Sequence, residues 1–292
     1  MKNVPMKLIP AYRFGKDTPW GGDNLRRLYG KDTPSDRTGE SLEASILAGL
    51  ESRAEDGTTL AQIIPDFPLL IKLIDARERL SVQVHPNDKF ARAAEGKLGK
   101  TEAWVVLHAE EGASIVYGLA EGRTADDLAR ALSRNDEADV MSCLNVAQVK
   151  EGDVFYIDAG TVHALGAGVI VYEIQQNSDV TYRLYDYGRP RELHLEKGLA
   201  CVREKQYNES SDRIPNKLPL NTPFFSLERM KTGGDTRIEP ADGFRVLTTL
   251  GEGRLVCGDT EIPFGKLESF FVPARCAEFR VITDGDVLVA GE

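Results

Sequence analysis

The chain has little of what several function classes need. Its 292 residues include only four cysteines, Cys143, Cys201, Cys257 and Cys276, with no Cys-x-x-Cys or other short spacing. That pattern argues against a disulfide framework and a thiolate zinc site, and it suits reduced thiols in a cytoplasm. Cationic charge is also scarce. Lysine and arginine total 36 against 46 acidic residues, a formal net charge of −10, and nucleic acid is disfavoured as a partner because phosphate backbones need basic faces. A small phosphorylated molecule is not excluded, since a few local cations suffice to hold one. No run approaches about 18 apolar residues, so no membrane span is expected. The opening MKNVPMKLIPAYRFG has no apolar stretch of signal-peptide length. WGG at 20–22 and GAG at 166–168 fit neither a dinucleotide fingerprint nor a phosphate loop and read as tight turns.

What is present is mostly short strand. EASILAG (43–49), LSVQVH (80–85), AWVVLH (103–108), ASIVYGL (113–119), DVFYID (153–158), VIVYEIQQ (169–176) and TYRLYDY (181–187) are apolar and β-branched, bounded by Gly, Pro or charge. Two stretches interrupt them. TTLAQIIPDFPLLIKLIDA reads as helix, proline-broken turn, then strand. TADDLARALSRNDEADVMSCLNVAQ has helical spacing at Leu128, Leu132, Met141 and Leu144, with Thr124 as N-cap. Short strands at short intervals predict a mainly β sandwich or barrel with helical insertions. The polar, proline-bearing stretch around 206–222 reads as a linker. It divides residues 1–205, with a helical insertion near 124–147, from a smaller β unit over 223–292. EGDVFYIDAGTVHAL (151–165) is weakly echoed by KLESFFVPARCAEFR (266–280), as if two related β units had kept polar ligands only in the first. The C-terminal unit could serve as lid, packing partner or dimer surface.

Only four histidines occur, and two of them fall in segments rich in other polar groups. In SVQVHPND, period-two geometry sends Gln83 and His85 to one side of a strand, and Pro86 biases His85 toward extended backbone. GKTEAWVVL places Lys100 and Glu102 two apart, just ahead of an apolar strand. His163 follows the turn of GDVFYIDAGTVHAL. Two imidazoles, a carboxylate and an amide oxygen suit a borderline divalent cation such as zinc, with water able to complete the set. A strand histidine is often only a hydrogen-bonded core residue, and His108 and His194 are read that way. On residues alone both readings stay open, because the separations are long.

GDVFYIDAGTVHAL resembles the second motif of the cupin family. It departs from that motif in carrying Asp158 at the usual proline, and Gln-x-His at 83–85 replaces the usual His-x-His of the first motif. That replacement, with SVQVHPND, GKTEAWVVL and NSDVTYRLYDYGR, resembles the type I mannose-6-phosphate isomerases in their short bacterial form, over roughly residues 10 to 205. The resemblance implies a cupin-type jelly-roll barrel with helical insertions and a smaller C-terminal cupin-like unit. It implies one zinc ion per chain, ligated by Gln83, His85, Glu102 and His163, and an active-site arginine at Arg183. It places Lys100 on the sugar-phosphate pocket. The implied reaction is aldose–ketose isomerisation through a cis-enediol, on a small-molecule sugar phosphate.

Three further residues carry alternatives. Arg183 could be a surface ion pair, as most arginines are. Arg189 could reach the phosphate or pair with an acid such as Glu192. Glu173 could be a pocket carboxylate or a strand carboxylate paired with a cation. The rival functions are another cupin metalloenzyme, dioxygenase-like, and a non-catalytic sugar-phosphate-binding protein. Oligomeric state, the general base, the metal loaded in the cell and the direction of flux are not legible.

Overall fold

The computed structural model describes residues 3–203 and 218–292. Strand-forming sequence becomes antiparallel sheet throughout, in four sheets. A six-stranded sheet runs, in spatial order, Val154–Ile157, Glu102–Ala109, Val169–Gln176, Leu69–Ala76, Thr38–Ala44 and Ala11–Phe14. A five-stranded sheet runs Tyr182–Tyr185, Val82–Val84, His163–Leu165, Ser114–Leu119 and Leu144–Gln148. Their inner faces share an apolar core that includes Ile74, Trp104, Tyr117, Phe155, Leu165 and Val171. This is the jelly-roll barrel that the family resemblance implies.

The six-stranded sheet is covered on both faces, which explains its composition. All eight residues of LLIKLIDA, Leu69–Ala76, are buried. Leu69, Ile71 and Leu73 point outward into a core shared with Tyr172, Ile174 and, from the C-terminal part of the chain, Leu227, Val246, Phe271 and Leu288. Leu70, Lys72 and Ile74 point the other way and line a cleft inside the barrel. A strand buried on both sides reads as a continuous apolar run rather than an alternation. Truncating one of its outward leucines to alanine costs about 2–5 kcal/mol.

The C-terminal strands form a seven-stranded and a four-stranded sheet packed around Leu247, Phe270, Phe279 and Val281. The N-terminal strand Met6–Ile9 belongs to the seven-stranded sheet, with Met6 opposite Phe271. A buried polar knot ties the two parts together. Lys31 Nζ lies 2.9 Å from Glu43 Oε1, Ser41 donates to that oxygen at 2.6 Å, and Ser269 donates to Oε2 at 2.9 Å. The C-terminal unit is therefore a packing partner of the six-stranded sheet.

Several local expectations shift. The strand expected over EASILAG lies earlier, at Thr38–Ala44, and ends where Ser45 N–H donates to Ser52 Oγ and Ser52 N–H to Ser45 O. The helical insertion is two helices, Ala125–Arg134 and Glu137–Ser142, parted by Asn135 at φ 52°. Thr124 caps the first, accepting from Asp127 N–H. The helical reading then fails at LNVAQ, which is the strand Leu144–Gln148, because Ser114–Leu119 offers it a pairing edge. Helices Asn24–Tyr29, Asp88–Glu95 and Leu195–Cys201 were not expected. The linker expected at 206–222 lies outside the described residues as far as 217; beyond it Leu220–Asn221 is strand. Among the described residues no helix is long and apolar enough to cross a membrane.

Candidate metal centre and its cleft

Strand register brings the polar residues together. Gln83, at the middle of Val82–Val84, is the cross-strand partner of His163 on one side and of Arg183 on the other. His85 stands just past the strand end, where its carbonyl accepts from Gly160 N–H at 2.8 Å. Gly160 adopts φ +92°, and a Cβ there would lie 2.7 Å from Cys201 O. Only glycine meets both demands, so the turn leading into His163 depends on it. Glu102 comes from the opposite sheet, as the first residue of Glu102–Ala109.

Donor atoms of His85, Glu102 and His163 lie within 4.8 Å of one another, and all three side chains are buried. His163 Nε2 is 3.3 Å from Glu102 Oε1, and His85 Nε2 is 3.5 Å from Oε2. The far nitrogens are already committed: His85 Nδ1 is 3.0 Å from Val180 O and His163 Nδ1 2.9 Å from Thr161 O. A backbone carbonyl can only accept, so each Nδ1 carries the proton and each Nε2 turns a lone pair inward. Burial, aided by the nearby Lys100 charge, holds both imidazoles neutral. His85 titrates well below its ordinary range and His163 at about 4, despite the Thr161 carbonyl.

Lone pairs thus meet a carboxylate whose Oε1 has no hydrogen-bond donor. Burial first, then the Glu173 charge, pushes Glu102 above the usual carboxylate range, while Lys100, 2.7 Å from Oε2, opposes the shift. A buried orphan carboxylate oxygen facing imidazole lone pairs is costly alone and suited to a cation. Gln83 stands beside the set, its amide nitrogen 3.3 Å from His163 Nε2. A half-turn of that amide presents oxygen instead. The donor set fits a divalent ion.

Gln83 and Lys100, which touch the centre, also line a cleft of about 260 Å³, together with Glu173 and Arg183 among the expected residues. A charge ladder climbs the sheet wall beside them. Arg13 pairs with Glu40 at 3.1 Å, and Lys72 lies 3.8 Å from Glu40 and 3.2 Å from Glu173. Trp104 Nε1–H donates to Glu173 at 2.8 Å. Burial would raise the Glu173 pKa, but Lys72, Lys100 and this bond outweigh it and keep the carboxylate ionised. Glu173 is paired with Lys72 and also lines the cleft.

The sequence model described as phosphomannose isomerase type I, catalytic domain, matches residues 40–114. Mannose-6-phosphate isomerase ManA of Bacillus subtilis (strain 168) is 33% identical to this chain, across 96% of each sequence. The mannose-6-phosphate isomerase of Streptococcus mutans serotype c is 32% identical, across 92% of each. The chain belongs to the type I mannose-6-phosphate isomerase family. A crystal structure of the mannose 6-phosphate isomerase from Bacillus subtilis superimposes with a TM-score of 0.89 at 30% identity, covering 98% of this chain and 99% of that one. The fold is the cupin fold of that family.

Against this family frame, Arg183 is only partly exposed. Its NH1 donates to Glu192 O at 2.7 Å, while Nε is buried without a hydrogen-bond partner. Burial, then the like charge of Arg191, lowers its pKa. The structure does not bring Arg189 to the cleft. It is 3.2 Å from Asp186 and 3.2 Å from Glu78; Arg191, two residues on, takes the cleft position. No strand period holds across this loop, so the sequence offers no signal for which arginine turns inward. Lys72 and Glu40 were also missed. Charges inside apolar strands, they were visible in LLIKLIDA and TGESLEA as residues that a buried strand tolerates only when paired. His194, assigned nothing, accepts Arg183 N–H at its Nδ1, 3.2 Å away.

Proposed function

We propose that this chain interconverts mannose 6-phosphate and fructose 6-phosphate through a cis-enediol, using one zinc ion held by Gln83, His85, Glu102 and His163. The observation that carries the reading is the convergence of two imidazole lone pairs and an orphan carboxylate oxygen beside a cleft whose lining includes Lys100, Arg183 and Arg191. Likeness to the Bacillus subtilis isomerase along almost the whole chain supports the same substrate. Nitrogen and carboxylate ligands without thiolate suit zinc in a catalytic rather than a structural setting. Localisation in the cytoplasm is consistent with the free cysteines.

The chemical difficulty is a carbon acid. A proton beside a carbonyl leaves slowly unless charge developing on the enediolate oxygen is stabilised. A bound cation supplies positive charge for that oxygen, an effect worth several kcal/mol. Arg183 contributes a fork of donors from the strand next to Gln83. Its backbone is fixed by His194 and one amino group by Glu192 O, so the guanidinium is oriented before ligand arrives. Lys100 sits between His85 and Glu102, at 3.0 and 2.7 Å, and lends a fixed charge at the inner end of the cleft. Burial disfavours that charge, but Glu102 and Glu173 keep the ammonium protonated. Glu173 holds Lys72 and Trp104 in register, lining the sugar's path.

The deciding experiment is a coupled assay of mannose 6-phosphate to fructose 6-phosphate on zinc-loaded protein, with metal content measured on the same sample. Conversion at stoichiometric zinc is expected. Ligand binding without conversion would replace the isomerase with a sugar-phosphate sensor.

A further inference from the structure

The cleft has an inner end, at the metal donors, and an outer rim whose arginines are not free to wander. Asp186 is almost fully buried, and three guanidiniums surround it. Arg191 clasps it with two parallel bonds, Nε to Oδ2 and NH2 to Oδ1, each 2.7 Å. Arg189 NH1 donates to Oδ1 at 3.2 Å, and Arg183 Nε stands 4.0 Å from Oδ2. Among the described residues, Arg189 alone of the three has a second carboxylate within ion-pair distance, Glu78. One carboxylate shared by Arg183 and Arg191 leaves surplus positive charge, and both residues line the cleft. Arg183 retains a buried Nε without a partner.

We infer that Arg191 anchors the phosphate monoester of the substrate at the rim, and that Asp186 is the positioning residue that holds its guanidinium there. The inference rests on the isomerase reading for the identity of the substrate. Its physical basis is preorganisation. A free arginine loses side-chain entropy when it binds an anion, whereas one clasped in two bonds has already lost it and still has donors to offer. Arg189 is a further brace of the same carboxylate, tied to Glu78 and lying 5.8 Å from the Tyr187 ring. This division of labour separates the rim, which binds, from Arg183, which acts near the metal donors.

The test is a split between KM and kcat, read together with inhibition by inorganic phosphate. Arg191→Ala should raise KM for mannose 6-phosphate about 10- to 100-fold and weaken phosphate inhibition in parallel, with kcat within about threefold. Asp186→Asn should move both constants in the same direction. In the Arg191→Ala background it should add less than about threefold, because its effect runs through Arg191. Unchanged KM and phosphate inhibition in Arg191→Ala, a loss confined to kcat, or full additivity of the two changes would each overturn the inference. If Asp186→Asn fails to fold, Arg191→Lys decides: charge without the fork should give an intermediate KM, and a wild-type KM would refute the clasp. Should the wild-type protein not isomerise mannose 6-phosphate at all, the substrate reading fails. Calorimetric binding of inorganic phosphate to wild type and Arg191→Ala would still test the anchor.

Discussion

Replacing Glu102 with glutamine tests the metal centre at its charged member. The substitution keeps the volume and one acceptor oxygen but removes the negative charge between His85 and His163. Two unit charges about 4 Å apart attract by about 4 kcal/mol at an effective dielectric of 20. A ligating carboxylate on a dication exceeds that, so a neutral amide should forfeit at least about 3 kcal/mol, or roughly 100-fold in affinity. The loss is readable through stability. At free zinc about 100 times the wild-type Kd, linkage stabilises the folded protein by about 2.7 kcal/mol. For a chain of this size that is a rise of about 5 °C in Tm. In Glu102→Gln the same zinc concentration only about matches Kd, and the stabilisation falls to about 0.4 kcal/mol, a shift under about 1 °C. The assay is thermal unfolding of each protein with and without zinc. Lys100 faces a neutral partner in both forms of the variant, and that cost drops out of the difference. A variant that kept the full zinc-dependent rise, with one bound zinc, would refute Glu102 as a ligand.

Other outcomes follow from the same geometry. Arg183→Ala should lower kcat by about 100- to 1000-fold, as loss of a charge-stabilising donor does, while zinc content stays at the wild-type level; near wild-type turnover would remove its assigned role. Chelation should abolish isomerase activity and zinc should restore it, whereas full activity in a rigorously metal-free sample would defeat the metal mechanism. Gly39→Ala places a Cβ 2.5 Å from Thr18 and 2.7 Å from Trp20, both on the cleft wall. Overpacking there should cost about 1–3 kcal/mol in unfolding measurements and raise KM, and an unaltered Tm would show that the 18–20 loop yields freely.

The proposed metal donors stood out because each lies in a short local pattern. Gln83 and His85 share a strand face, Glu102 opens a strand, and His163 follows a turn with a required glycine. Their convergence was not legible, since strand pairing joins only Gln83 to His163, and Glu102 arrives from the opposite sheet over long stretches of chain. The same limit explains LNVAQ. Its residues tolerate helix or strand, and a free edge at Ser114–Leu119 made the choice.

Local chemistry by itself determined that this chain would be strand-rich, unlinked by disulfides, and equipped with imidazole, amide and carboxylate near turns. Side-chain periodicity and turn preference act within a few residues, so they can be read from the order of amino acids. Tertiary structure alone decided that Lys72 and Glu40 would line the cleft, and that Arg191 rather than Arg189 would face it. It also decided that Tyr172 would pack in one core with Leu227 and Phe271 from the C-terminal part of the chain. Charges enter a buried interior only where an opposite charge arrives from another strand, and which strand arrives is settled by register across the whole sheet.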